Sequence, residues 1–288
     1  MDTERCRALL CAVEKGSLTA AAESMGYTAS GISRMMAALE KEAGFPLLVR
    51  SRGGVVPTEE CRRLLPYFQE MIRTADSFEQ MTGEIRGLAR GTIRIGTSYY
   101  AYYDWFARLI KDFVAEYPGI RVEIVDGTST ELLQAMEEHR LDLCIISRRE
   151  GRYNWTALEQ DQLLACLPEG HPMAGKECFP VRAFAEEDYI ELYPGRETDN
   201  SRMMQECGVR PKVKYATSDN YAAYAMVAAG LGITCTNAII GEAFTEGVRY
   251  LPLEPPQIIE IGMATPETEE MSPAAKRFAA FAMGRFQR

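Results

Sequence analysis

Apolar positions in the first sixty residues recur at helical spacing and are broken by glycine-containing turns. Leu9, Leu10 and Val13 mark a first helix, ended by Gly16-Ser17. Leu18 to Met25 predicts a short second helix, whose Ala20-Ala21-Ala22 offers a small-residue surface for close packing. Gly26-Tyr27 turns the chain, and Thr28 can cap a third helix by accepting an orphan backbone N–H. There Ile32, Met35, Met36 and Leu39 form the inward stripe, with Ser30, Ser33, Arg34 and Ala37 on the other face. Leu47-Leu48-Val49-Arg50 and Val55-Val56 flank Ser51-Arg52-Gly53-Gly54 and read as a hairpin.

From Thr58 to about Leu88 the pattern predicts one long helix. Cys61, Leu64, Phe68, Met71, Ala75, Phe78, Thr82 and Ile85 step by three and four, a seam that Leu65, Ile72 and Met81 widen. An isolated helix could not bury this stripe, so a partner chain is expected, the alternative being packing on its own domain. Pro66 removes one backbone bond near the helix start and should bend it.

After Gly91 the period shortens. Thr92 to Ile95 alternates like a strand, Trp105 to Tyr117 reads as a helix, and Arg121 to Val125 as a strand. Thr130 to His139 follows as a helix and Leu141 to Ile146 as a buried strand, an alternation that implies a parallel sheet with right-handed crossovers. Thr97-Ser98, Thr128-Ser129 and Ser147 follow the three strands. In open parallel sheets such strand ends converge on one crevice, where helix N-termini favour anions. Three hydroxyl-bearing ends make a neutral cradle for a carboxylate or similar group, although each taken singly serves as a helix cap. A second lobe starts near Asp161, with strands at 163–167, 189–192 and 213–216 and a further one entered through Gly230 to Cys235. Helices start there at Thr198-Asp199-Asn200-Ser201 and Ser218-Asp219-Asn220, Ile258 to Thr265 returns as a strand, and Ser272-Pro273 opens a last helix. Arg148-Arg149 could counter an anion but reads more simply as a solvated pair.

Composition sharpens this picture in four places. The chain of 288 residues has 47% hydrophobic and 25% charged residues, values of a folded globular protein. Residues 1–90 carry 12 acidic and 12 basic side chains, so the whole net charge of −9 lies beyond them. A neutral front and an acidic back fit two different tasks, and any phosphate attraction must come from a local patch. No stretch is long and apolar enough for a membrane helix, and the N-terminus lacks a secretory core, so a cytoplasmic protein is expected. The 8 cysteines are scattered without a CxxC pair, which fits reduced thiols and no metal or other cofactor.

The third predicted helix offers short polar groups and one arginine near its start, suiting close contact with base edges in a major groove. Arg50 and Arg52 on the hairpin would meet phosphates or the minor groove. The run Gly16-Ser17-Leu18-Thr19-Ala20-Ala21-Ala22-Glu23 is followed by Gly31-Ile32-Ser33-Arg34, Leu39-Glu40, Gly44, Pro46-Leu47-Leu48-Val49-Arg50 and Thr58-Glu59. In order and spacing these residues resemble the DNA-binding signature of LysR-type transcriptional regulators. Pro168 to Pro172, Met226 to Ile233 and Ser272 to Ala275 look like landmarks of the same family's effector domain, so the resemblance spans essentially the whole chain.

The resemblance implies an α/β protein with an N-terminal winged helix-turn-helix over residues 1–58 and a linker or dimerisation helix over 59–90. An effector-binding domain would occupy 91–288, two-lobed like a type 2 periplasmic binding protein, with lobe I at 91–160 and 266–288 and lobe II at 161–265. It implies that Ser33 and Arg34 face double-stranded DNA at a dyad-related operator, with Thr28 and Ser30 beside the backbone. Ala29 stands where the family usually carries a base-reading glutamine; its methyl could still touch a thymine methyl, so altered operator choice is expected. Cys61 replaces a glycine that usually follows the wing. The effector, a small molecule expected to be anionic if the hydroxyl cradle seats it, would meet Thr97, Ser98, Thr128, Ser129 and Ser147. Tyr99, Tyr100, Thr198 and Asn200 are further contacts, since family sites draw on these loops. A homodimer or homotetramer follows from the resemblance, with RNA polymerase a further candidate partner and no membrane.

Three other readings are weaker. His139 and His171 lack a motif-spaced nucleophile or carboxylate, which speaks against an enzyme. A free-standing solute-binding protein has no use for the first sixty residues. A cysteine redox sensor would need a partner for Cys207 in the loop near Thr198, where there is none.

Overall fold

The computed structural model describes residues 2–51, 53–85, 90–99 and 102–285, without the side chain of Glu84. Arg52 and Tyr100, and the end of the linker beyond Ile85, lie outside them. The chain divides into two compact units, one comprising residues up to Gly91 with the short segments 138–140 and 272–274, the other the remainder.

The first unit begins with three helices: α1 (Thr3–Lys15), α2 (Leu18–Met25) and α3 (Ala29–Ala43). Asp2, Ser17 and Thr28 cap their N-termini by accepting backbone N–H groups, and Gly16, Gly26 and Gly44 close them in the left-handed conformation. Ala21 and Ala22 are buried, as their small size predicts, together with Ile32, Met36 and Leu39 from α3. Strands β1 (Leu48–Ser51) and β2 (Gly54–Pro57) pair antiparallel as the wing. The wing is fixed to the end of α1, because Val55 N–H donates to the Gly16 carbonyl at 2.8 Å. Gly54 is obligatory there: its φ is +118°, and a Cβ would lie 2.2 Å from the Gly16 oxygen.

Helix α4 (Glu59–Ile85) continues through Pro66. The Thr58 hydroxyl accepts the Cys61 N–H at 3.1 Å and donates to the Pro46 carbonyl at 3.0 Å. Cys61 and Phe68 are fully buried in the core of this unit, and Leu64, Leu65, Met71 and Ile72 pack against it. Cys61 thus fills core space where the related pattern has glycine, and burial pushes its thiol up to about 11. The first half of the seam is therefore covered within the unit. The second half is not: Phe78, Met81 and Ile85 are exposed, Ile85 by 82%.

The second unit carries β3 (Gly91–Thr97), α5 (Tyr103–Glu116), β4 (Ile120–Asp126), α6 (Ser129–Glu137) and β5 (Leu143–Ser147), then the 15-residue β6 (Asn154–Pro168). Strands β3 and β5 are parallel, and every residue of β5 is buried, as a continuous apolar run requires. After the short β7 (Phe179–Pro180) come β8 (Asp188–Leu192), α7 (Asp199–Glu206), β9 (Lys212–Thr217) and α8 (Asn220–Ala228). The chain continues with β10 (Thr234–Asn237), α9 (Ala238–Gly241), β11 (Val248–Glu254), β12 (Ile258–Thr265) and α10 (Pro273–Met283).

The large sheet has the order β4-β3-β5-β12-β6-β11-β7, with β10 also on β6, while β8 and β9 form a separate parallel pair. Strand β6 joins the two halves. Residues 154–162 pair with β12, and 163–168 pair with β10 and β11. One core lies over Leu132, Met136, Cys144, Ile146 and Ala264, the other over Leu163, Phe179, Phe184, Tyr189 and Met203. The architecture is two α/β lobes. Strand β12, expected from the sequence at the end of lobe II, hydrogen-bonds to β5 from Ile261 onward, so the return to lobe I precedes Thr265. The cause is an antiparallel pairing between strands more than a hundred residues apart, which leaves no local mark.

Candidate functional site

In the first unit, α3 presents two chemically distinct faces. Ile32, Met36 and Leu39 are buried, whereas Thr28, Ala29, Ser30 and Arg34 are exposed and Ser33 is half-buried. The Thr28 hydroxyl accepts the Gly31 N–H at 3.1 Å and meets the Ser30 hydroxyl at 3.2 Å, so it is held in the cap. Arg50, exposed on β1, donates from Nη1 to Ser33 Oγ at 3.2 Å. The predicted residues of helix and wing therefore gather on one exposed surface, Arg52 lying outside the described residues.

In the second unit, a cavity of about 140 Å³ opens between the lobes. Thr97, Ser98, Thr128 and Ser129 from the strand ends line it, together with Tyr99, Thr198 and Asn200 from the loops that the resemblance pointed to; Tyr100 lies outside the described residues. Ser147 sits behind this lining. Its N–H donates to Ser129 Oγ at 3.1 Å, its hydroxyl oxygen lies 3.1 Å from the same Oγ, and Ser129 Oγ meets Ser98 Oγ at 3.0 Å.

The cradle already holds a carboxylate, and it is the protein's own. Asp199 Oδ2 accepts from the Tyr99 hydroxyl at 2.8 Å, and its Oδ1 accepts from Arg149 Nη2 at 2.9 Å and from the Ser147 hydroxyl. The Arg149 and Asp199 side chains are 6% and 9% exposed, so this is a buried pair joining lobe I to lobe II. Burial and the adjacent Asp199 charge push the Tyr99 hydroxyl well above its ordinary pKa, keeping it a donor. At the other side Arg196 gives Nε to Glu131 Oε1 at 2.7 Å and Nη2 to Oε2. That pairing holds the Glu131 carboxyl below its usual range. Among the described residues no group of three or more His, Cys, Asp or Glu could hold a metal, and no helix is long and apolar enough to cross a membrane.

Residues 3–62 match the family model for the bacterial regulatory helix-turn-helix protein of the lysR family, and residues 86–287 match the LysR substrate binding domain. The chain belongs to the LysR family. It is a LysR-type transcriptional regulator, with a DNA-reading head and an effector-binding domain. Among named relatives, an uncharacterized HTH-type transcriptional regulator, YvbU of Bacillus subtilis (strain 168), is 25% identical over 92% of each chain. Full-length OxyR from Pseudomonas aeruginosa shares the fold with a TM-score of 0.70, at 17% identity over 98% of this chain and 94% of that one. CbnR, solved with its target DNA, matches at 0.62 and 16% identity over 99% of both chains.

Within this LysR chain several cleft residues carry no clear sequence signal. Asp199 reads only as part of a helix start, since Thr198 caps α7 through a reciprocal pair with Ser201. Arg149, expected to be solvated, is buried; only Arg148 is solvated, facing Glu260 at 3.1 Å with 62% exposure. Tyr103, Asp126, Tyr193, Arg196 and Asn220 also line the cavity. For Asp126 a signal existed: it ends a strand in the same place that Thr97 and Ser147 do. Tyr193 carries a φ of 55°, which its residue type does not announce.

Proposed function

We propose that this regulator reads a dyad-related operator with the exposed face of α3 in the major groove. Ser33 and Arg34 would face the base edges, Thr28 and Ser30 would lie beside the backbone, and Arg50 and Arg52 would meet the phosphates or the minor groove. Ala29 replaces a hydrogen-bonding contact by a methyl suited to a thymine methyl. The observation that carries this reading is Arg34, exposed on the face opposite the buried Ile32, Met36 and Leu39. The fold shared with CbnR, which was solved in complex with its target DNA, supports it.

The cleft of the second unit is the effector seat in this reading, and its occupancy selects between lobe arrangements. An effector with equal affinity for both would shift nothing. Two chains pair through the uncovered half of α4, around Phe78, Met81 and Ile85, which sets the spacing of two heads on DNA; further pairing would give a tetramer. The setting is the cytoplasm, with RNA polymerase a further partner. Selection of bound fragments from a random duplex library at low salt tests the first part. The expected result is a two-fold related motif that Arg34→Ala loses, and uniform failure to enrich any sequence would refute it.

A further inference from the structure

Three kinds of group in the cleft decide what charge its ligand carries. Most of the positions that would seat an anion are already satisfied from within. The start of α6 is capped by Thr128 Oγ1, which accepts the Glu131 N–H at 3.4 Å, while Glu131 Oε2 accepts the Thr128 N–H at 3.0 Å. The start of α7 is closed by Thr198 and Ser201, and that of α8 by Asp219, whose Oδ1 accepts the Ala222 N–H at 2.7 Å. The hydroxyl and guanidinium donors of Tyr99, Ser147 and Arg149 converge on Asp199. Arg196, the cation lining the cavity, has two of its nitrogens on Glu131.

What remains uncommitted includes one donor, the buried Asn237 Nδ2 that lacks a partner, but is otherwise electron-rich. Asp126 lines the cavity at the end of β4 and has no hydrogen-bond or salt-bridge partner among the described residues. Its charge acts on Tyr103, Tyr193 and Arg196 only through space. Asn200, 9% exposed, also lines the cavity. Its Nδ2 donates to the Cys235 carbonyl at 2.6 Å, which fixes the amide so that Oδ1 is an acceptor, and that Oδ1 is buried without a partner. An unmet buried acceptor calls for a donor. Tyr99, Tyr103 and Tyr193 supply aromatic surface, and the Tyr193 ring already carries the Arg196 guanidinium 5.0 Å from its centroid. Ring faces and an unpaired carboxylate together favour a cation.

We infer that the effector of this cleft is a small organic amine, bound as its ammonium between Asp126, the Asn200 Oδ1 and the tyrosine rings. This rests on the cleft being the effector seat. A space of about 140 Å³ limits the enclosed part to about the size of a benzene ring, by comparison with a cavity of about 150 Å³ known to hold one.

Calorimetric titration of the full chain with benzylamine, benzyl alcohol and benzoate, three probes of one shape and three charges, tests it. Benzylamine should bind at least about tenfold more tightly than either analogue. Asp126→Asn should remove that preference and leave benzyl alcohol unchanged, whereas Glu123→Gln on the same strand, away from the cavity, should keep it. Equal or tighter binding of benzoate, or a preference that survives Asp126→Asn, overturns the ammonium assignment while leaving the cleft as the effector seat. Binding of none of the three by a chain that melts cooperatively overturns the seat itself and the assignment with it.

Discussion

Arg50 of the wing donates from Nη1 to Ser33 Oγ of α3 at 3.2 Å, so the two elements proposed to contact DNA are linked before any duplex arrives. The consequence is a division of labour that equilibrium binding can resolve. Arg34→Ala should weaken operator affinity by roughly 1–3 kcal/mol and relax base preference at one position per half-site. Arg50→Ala should weaken specific and random duplexes alike and lower the salt slope by about one per head. Equal losses on every sequence for both variants would show that Arg34 touches only phosphate.

The Arg149–Asp199 pair makes a prediction about stability. Asp199→Ala leaves a buried guanidinium with only the half-exposed Glu197, 4.0 Å away, as counter-charge and should cost about 3 kcal/mol. A small carboxylate such as formate should then raise the melting temperature of the variant, while leaving the parent chain unchanged. Failure of rescue in a variant that still folds would mean that Tyr99, Ser147 and Arg149 form no anion seat of their own.

Asp161 introduces a pH dependence. Its Oδ1 accepts from Gln162 and Ile239 N–H, but Oδ2 is buried without a partner, and burial raises its pKa above the ordinary carboxylate range. The folded state therefore binds this proton more tightly than the unfolded chain. Its contribution is greatest at acid pH and falls away as the pH rises past the unfolded and then the folded value. Asp161→Asn should remove that component, flattening the decline in stability that sets in above about pH 4 in denaturant titrations. An unchanged profile would show that the group ionises normally.

Helix α4 is the place to test assembly. Phe78→Asp combined with Ile85→Asp should convert the oligomer to monomer in light scattering. Burying each large apolar side chain is worth about 1.5–3 kcal/mol, and the new charges add repulsion. Cooperative melting of the variant would confirm that the fold is retained. An unaltered mass would place the interface elsewhere.

The cysteines should differ sharply in reactivity. Cys207 is exposed at the end of α7, whereas burial pushes Cys61 up to about 11 and Cys166 up to about 12, and raises Cys144 and Cys235 further. Iodoacetamide on the native chain should label Cys207 well before these four, read by peptide mass spectrometry. Early labelling of Cys61 would mean that the start of α4 opens readily.

Much of this is legible in the sequence because it is local. The caps Ser17, Thr28, Thr198 and Asp219, and the stripe Ile32, Met36 and Leu39, state their helices within a few residues. Thr97, Thr128 and Ser129 follow from a topological rule about strand ends. The content of the cleft is not legible in the same way. Asp199 reaches Tyr99 across a separation of 100 residues and Arg149 across 50, so no spacing records either pairing. Likewise the first half of the α4 seam suggests a partner chain, because Cys61 and Phe68 facing their own core give the same periodicity as a coiled coil.

Strand β6 is shared property: one end is laced into β12, the other into β10 and β11. A breathing motion of the two halves must flex this continuous ribbon, as a leaf spring does, since a slack tether is not what joins them along that path. Small strokes with a restoring force are what such a spring permits, so an effector seated as proposed would work against the stiffness of β6.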